Sequence, residues 1–113
     1  MPGSVPRIVI AAFDGLQPSQ VTGKRMPVVS ALAASGVRFL HNHAVFPTVT
    51  RANSATLVTG VVPGKHGLIA NKSIFPEYSK TEVVDALVPK LADINRLTGG
   101  GLLFTPTLGE LIS

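Results

Sequence analysis

The sequence predicts an α/β fold, a partial three-layer α/β/α sandwich with a mainly parallel sheet. Three observations point there. The run Ile8-Val-Ile-Ala-Ala-Phe13 is apolar at every position and leads straight into Asp14-Gly15; a strand without polar alternation is buried on both faces, as in the middle of a parallel sheet. Such runs alternate with short helical patterns framed by Pro and Gly, the order expected of βαβ units. The 113 residues are 45% hydrophobic, with a mean hydropathy of +0.38, enough apolar material for one core. Charged residues make up only 14%. So dry a surface on a small domain is expected to be covered by further chain or by a partner, and the fold is therefore expected to be truncated.

Composition excludes several function classes. The net charge is +4 and the isoelectric point about 10.0, but Lys and Arg are scattered, adjacent only at Lys24-Arg25, and five Phe and one Tyr are the only aromatics. A basic surface interleaved with stacking platforms is absent from the pattern, so no polymeric nucleic acid is expected as a partner. There is no cysteine, which removes disulfides and thiolate metal sites. The Ile8–Phe13 run is too short to span a bilayer or to form a signal-peptide core,. No membrane association and a cytoplasmic location are the expectation.

In order, residues 1–6 read as a leader and Arg7 to Phe13 as the first strand. Asp14, at the carboxyl end of a buried strand and next to a flexible Gly, is placed where open α/β sheets contact ligands. It is either a hard oxygen donor for a divalent cation or a turn-former. Gln17 to Arg25 is a polar loop, and Pro27 and Gly36 frame a helix over Val28 to Ser35,. Val37 to Phe46 alternates as a second strand, with His41 and His43 on one side beside Val37, Phe39 and Val45,. In that company the histidines read as partly buried and hydrogen-bonded rather than as metal ligands.

Pro47 stops the second strand, and a helical pattern starts at Arg51, with Ala52, Ala55 and Leu57/Val58, and stops at Gly60,. Thr50 thus sits at or next to the helix cap. There it is either an ordinary capping residue or a hydroxyl beside backbone N–H groups whose partial positive charge suits a phosphate oxygen and an alkoxide. Gly60 to Gly67 only approximates a phosphate-binding P-loop: the gap is one residue short, and His66 rather than Ser or Thr follows Lys65,. It reads as a turn-rich loop braced by His66. Ile69 to Thr81 is irregular. Glu82 to Leu87 has a helical start that Pro89 interrupts, so the better helix is Lys90 to Leu97, ended by Gly99-Gly100-Gly101,. Leu102 to Phe104 is a third short strand. The final helix is capped either by Thr105 ahead of Pro106 or by Thr107 in a capping box with Glu110,.

These pieces, taken in order and spacing, resemble the amino-terminal part of the type I phosphodiesterase / nucleotide pyrophosphatase family of the alkaline phosphatase superfamily. The resemblance is carried by Ile8 to Gly15, by Met26-Pro27 with Leu32 to Arg38, by Thr50 with Asn53, and above all by Leu57-Val-Thr-Gly60-Val-Val-Pro63-Gly-Lys-His66-Gly67. It implies an alkaline-phosphatase-like sandwich in which residues 7–113 are the amino-terminal fragment of a catalytic domain. It also implies two zinc ions, with Asp14 as a ligand of the zinc that faces the nucleophile. Thr50 would attack phosphorus and touch that zinc, and Asn53 would donate to a phosphate oxygen. The substrate class implied is a small phosphate ester or nucleotide, cleaved at a phosphodiester or pyrophosphate bond through a phospho-threonine.

The sequence departs from the pattern in two ways. Arg51 stands where many relatives have an aromatic residue; it is either an exposed first-turn residue or a cation that biases the site toward more highly charged esters. The further Asp and His ligands of a two-zinc site, including an adjacent Asp-His pair, are missing from these residues. One carboxylate and one hydroxyl fall short of the roughly three to four protein ligands zinc takes, so the 113 residues alone are expected to bind zinc weakly and to turn over little or nothing. A truncated scaffold or interaction module, or a phosphonate hydrolase on the same fold, are the competing expectations.

Overall fold

The computed structural model describes residues 8–85 and 88–112. The expected leader over 1–6, the Arg7 start of the first strand, the last two residues of the Glu82–Leu87 stretch and Ser113 lie outside the described residues. The chain divides into two compact units, Met1–His41 and Asn42–Ser113.

In the first unit, Asp14 and Gly15 form the centre of a turn closed by the Leu16 N–H donating to the Phe13 carbonyl at 3.4 Å. Gly15 has φ 72°, a value that the third position of a type II turn requires and that glycine adopts without strain. A single 3-10 turn, Pro18–Gln20, follows. Helix α1, Pro27–Ser35, starts on Pro and stops at Gly36, as the Pro and Gly positions predict. None of the described residues 8–41 is buried.

The second unit holds the core. Helix α2 is Thr50–Thr59 and α3 is Pro63–His66, and the two pack on each other. Strands β1, Lys72–Ser73, and β2, Val84–Asp85, pair antiparallel. Helices α4, Val88–Leu97, and α5, Leu108–Ile112, complete it. The buried apolar residues are Ala52, Ala55, Leu68, Val84 and Ile94. Thr107 caps α5 in a capping box: the Glu110 carboxylate accepts the Thr107 N–H at 2.7 Å and its hydroxyl at 2.8 Å, and the Glu110 N–H returns to the Thr107 hydroxyl. Of the two caps the sequence allows, the structure uses Thr107.

Several expectations change. The predicted strands over residues 8–13, 37–46 and 102–104 form no ladder, and the one sheet among the described residues is antiparallel and two-stranded. A strand is stabilised through a ladder of a neighbour's N–H and C=O groups, and among the described residues these runs find none, Phe104 making a single backbone bond to the His66 carbonyl. Their side chains stay out of a core, with Val9 at 87% and Phe39 at 79% exposure. His41 and His43 are exposed for the same reason. The helical start expected at Glu82 gives way to β2, because β-branched Val84 finds a partner in Ser73,. Pro89 falls in the first turn of α4, where a missing N–H costs nothing,.

Candidate active site

The approach to α2 is an irregular segment, residues 45–49, without a ladder of its own. Val49 is the cap of the helix, extended at φ −125° and ψ 151°, and makes no side-chain capping bond. Thr50 is therefore the first helical residue, exposed at the helix mouth, where backbone N–H groups concentrate positive potential. The helix forms here because Ala52 and Ala55 give it a small-residue stripe that is fully shielded, and because Gly60, at φ 71°, closes it with an N–H bond to the Thr56 carbonyl,.

The loop after α2 is held by His66. Its ring is completely buried; Nδ1 accepts the Leu68 N–H at 3.2 Å, and Nε2 lies 3.0 Å from the Thr56 hydroxyl. Acceptance at Nδ1 places the ring proton on Nε2, so His66 donates to Thr56. The brace expected of His66 is thus present and ties the loop to α2. Phe104 then donates its N–H to the His66 carbonyl at 3.1 Å, and the Thr105 hydroxyl donates to the Lys65 carbonyl at 3.3 Å. Gly67 has φ 85°, and a Cβ there would lie 2.7 Å from the Phe104 ring.

Beyond this loop the chain returns to the helix mouth. The side chain of Asn71 accepts the backbone N–H of Arg51 at 3.0 Å through Oδ1, which leaves the other end of the same amide, a donor, beside the first turn. Asn71 is the residue that sequence reading missed. It lies in the irregular stretch after the motif, and only an expectation that the loop folds back on α2 would have singled it out. Asn53, in contrast, turns its amide toward the entering segment. Nδ2 donates to the Val49 carbonyl at 3.0 Å and the Pro47 carbonyl at 3.3 Å, and Oδ1 accepts the Val45 N–H at 3.0 Å.

Of the residues singled out in the sequence, Thr50, Arg51 and Asn53 thus share the first turn of one helix. Asp14 belongs to the other unit, exposed in its turn. Among the described residues no group of three or more His, Asp or Glu is placed to hold a metal ion, and no helix is long and apolar enough to cross a membrane. A hydroxyl on the opening residue of a helix, with an amide donor and a guanidinium-bearing residue beside it, makes a place that attracts the oxygens of an anionic ester.

Comparison with known proteins adds to this geometry. The family model described as type I phosphodiesterase / nucleotide pyrophosphatase matches residues 8–102. The chain is 33% identical over 69 residues to a bis(5'-adenosyl)-triphosphatase of Xenopus laevis, covering 61% of this chain and 15% of that protein. It is 32% identical over 69 residues to ectonucleotide pyrophosphatase/phosphodiesterase family member 3 of Mus musculus, covering 59% of this chain and 8% of that protein. To family member 1 of Homo sapiens it is 32% identical over 74 residues, 64% of this chain and 8% of that protein. The chain therefore spans only a small part of the length of these relatives. No solved structure matched the chain significantly.

Proposed function

The chain belongs to the type I phosphodiesterase / nucleotide pyrophosphatase family, and from that premise we propose that it carries the nucleophile of a site that hydrolyses phosphodiester or pyrophosphate bonds in small nucleotide-type substrates. The family fold is alkaline-phosphatase-like α/β, and a place for residues 7–113 in a three-layer sandwich of that kind is part of the proposal. The observation that carries the proposal is the placement of Thr50 as the first residue of α2, with Asn71 bonded into the same turn.

In the proposed reaction the Thr50 hydroxyl oxygen attacks phosphorus and the bond from phosphorus to the leaving oxygen breaks. The leaving group departs as an alcohol or a phosphate carrying the proton that the Thr50 hydroxyl gives up, and a phospho-threonine that keeps the remaining ester group stays until water displaces it. The charge that builds on the phosphoryl oxygens meets the helix mouth, the Asn71 amide nitrogen and the Arg51 guanidinium. Asn53 has the family's place for a phosphate donor as well, but its Nδ2 would first have to release the carbonyls of 47 and 49.

The family is generally metal-dependent, and the proposed centre is two zinc ions. The residues described here do not by themselves fit one: Asp14 and Thr50 are two donors, and zinc takes roughly three to four. In the proposed centre the remaining Asp and His ligands would come from outside these residues. That shortfall also favours a second reading, in which the 113 residues alone are a non-catalytic scaffold.

Hydrolysis of a nitrophenyl nucleotide diester by the full-length protein tests both. The hydrolase reading expects turnover that Thr50→Ala lowers by roughly 10³-fold or more, and expects little from residues 1–113 alone. Equal rates for the full-length protein and Thr50→Ala would remove Thr50 as nucleophile. Arg51→Ala is expected to lower monoester hydrolysis more than diester hydrolysis, and an equal change in both would remove the charge-bias role.

A further inference from the structure

The hydrogen bonds of Asn53 assign it a different task from contact with phosphate. A side-chain amide has two N–H donors and one carbonyl oxygen. In Asn53 the donors are spent on three carbonyls, Val49 at 3.0 Å, Pro47 at 3.3 Å and Val45 at 3.5 Å, while the oxygen takes the Val45 N–H at 3.0 Å. The residue is half-buried. Residues 45–49 have no strand partner among the described residues, so this one side chain does part of what a ladder would do: it bonds the carbonyls of 45, 47 and 49 and the N–H of 45 and so fixes the path of the segment,. The Val49 carbonyl is held twice, by the Asn53 side chain and by the Asn53 backbone N–H at 3.1 Å. Val49 is the cap immediately before Thr50, and the orientation of the peptide plane between them sets where Thr50 enters the helix.

We propose that Asn53 is a positioning residue for Thr50: its amide clamps the entering segment 45–49 onto the first turn of α2 and thereby aims the nucleophile. This rests on Thr50 being the nucleophile, and it deepens that assignment. Reaction geometry is steep in distance, with a displacement of about 1 Å costing on the order of 10²-fold in rate. A clamp that touches no substrate can therefore govern the chemical step while leaving phosphate affinity alone.

The test is pre-steady-state kinetics on the full-length protein with a nitrophenyl nucleotide diester, comparing wild type, Asn53→Ala and Asn53→Asp. The Asp variant keeps the shape and the acceptor but faces the three carbonyls with no donors. The expected result is a fall of roughly 10²-fold in the rate constant of the nitrophenol burst. Burst amplitude per total protein and the inhibition constant of inorganic phosphate are expected to change by less than about twofold. A contact with phosphate would instead weaken inorganic phosphate together with the rate, and a merely structural role would shrink the amplitude and leave the rate constant alone; either outcome overturns the proposal. Amide exchange at Val45 is the second measurement. It speeds up in Asn53→Ala if the clamp exists, and equal protection in wild type and variant also overturns it. Should wild-type turnover proceed with Thr50 never modified, the nucleophile assignment fails and the catalytic role of Asn53 goes with it, while Val45 exchange still decides whether the clamp is there.

Discussion

Residues 8–41 and residues 42–112 carry the same kinds of sequence signal, apolar runs and Pro-to-Gly helices, yet only the second set buries anything. Helix α1 has cleaner boundary signals than α2 and no buried residue, while α2 shields Ala52 and Ala55. The difference lies in what each helix finds beside it. Helix α2 meets α3 and a fully buried histidine whose two ring nitrogens are both bonded; α1 presents Val28 and Leu32 to solvent at 71% and 65% exposure. Periodicity states what an element would bury, and a neighbour decides whether it does.

Substitutions at matched apolar positions are the strongest way to break that comparison. Ile94→Ala, in the core of the second unit, is expected to cost about 2–5 kcal/mol, whereas Leu32→Ala on α1 is expected to cost less than about 0.5 kcal/mol. Denaturant unfolding midpoints measure both. A Leu32 cost matching that of Ile94 would show that the exposed stripe of α1 is covered by something in solution.

The loop between α2 and β1 gives the next largest effect. Gly67→Ala forces a side chain onto φ 85° and against the Phe104 ring, at roughly 1–3 kcal/mol. Gly60→Ala, at φ 71° with nothing within 4 Å, costs only the backbone term of about 1–2 kcal/mol. Unfolding midpoints that rank the two the other way would mean that Phe104 swings clear. Thr56→Val leaves the buried His66 Nε2 without its partner and is expected to cost about 1–3 kcal/mol, read out as a lower midpoint and faster amide exchange at Leu68.

Much of this was legible beforehand. Gly36 and Gly60 mark where α1 and α2 end, and Thr107 and Glu110 announce their capping box, because caps and left-handed turns are local and are written in adjacent residues. The strands were not, because a continuous apolar run specifies a sheet only together with the edges it pairs with. Residues 8–13 show this most plainly. In the site, Thr50 follows from Pro47 and the start of the helical pattern. The approach of Asn71 to Arg51, twenty positions away, depends on the path of a loop that no periodicity encodes.

The smallest effect concerns α5. The Thr107 backbone N–H, and after it the Thr107 hydroxyl, hold the Glu110 carboxyl below its ordinary value. The box therefore supports α5 fully above the ordinary glutamate range and is lost as pH falls through the lowered value. An NMR titration of the Glu110 side chain is expected to show a midpoint below that of a free glutamate, and Thr107→Ala, which removes the hydroxyl but keeps the backbone N–H, is expected to raise it only part of the way. An ordinary midpoint in the unmodified protein would show that the box is open in solution.

The central claim is that Thr50 takes up the phosphoryl group, and mapping the covalent adduct tests it most directly. Full-length protein mixed with a nitrophenyl nucleotide diester, quenched in acid during the burst and digested for mass spectrometry, is predicted to carry the modification on Thr50. An adduct on Thr48 or on any other residue, or turnover at full rate with Thr50 never modified, would contradict it.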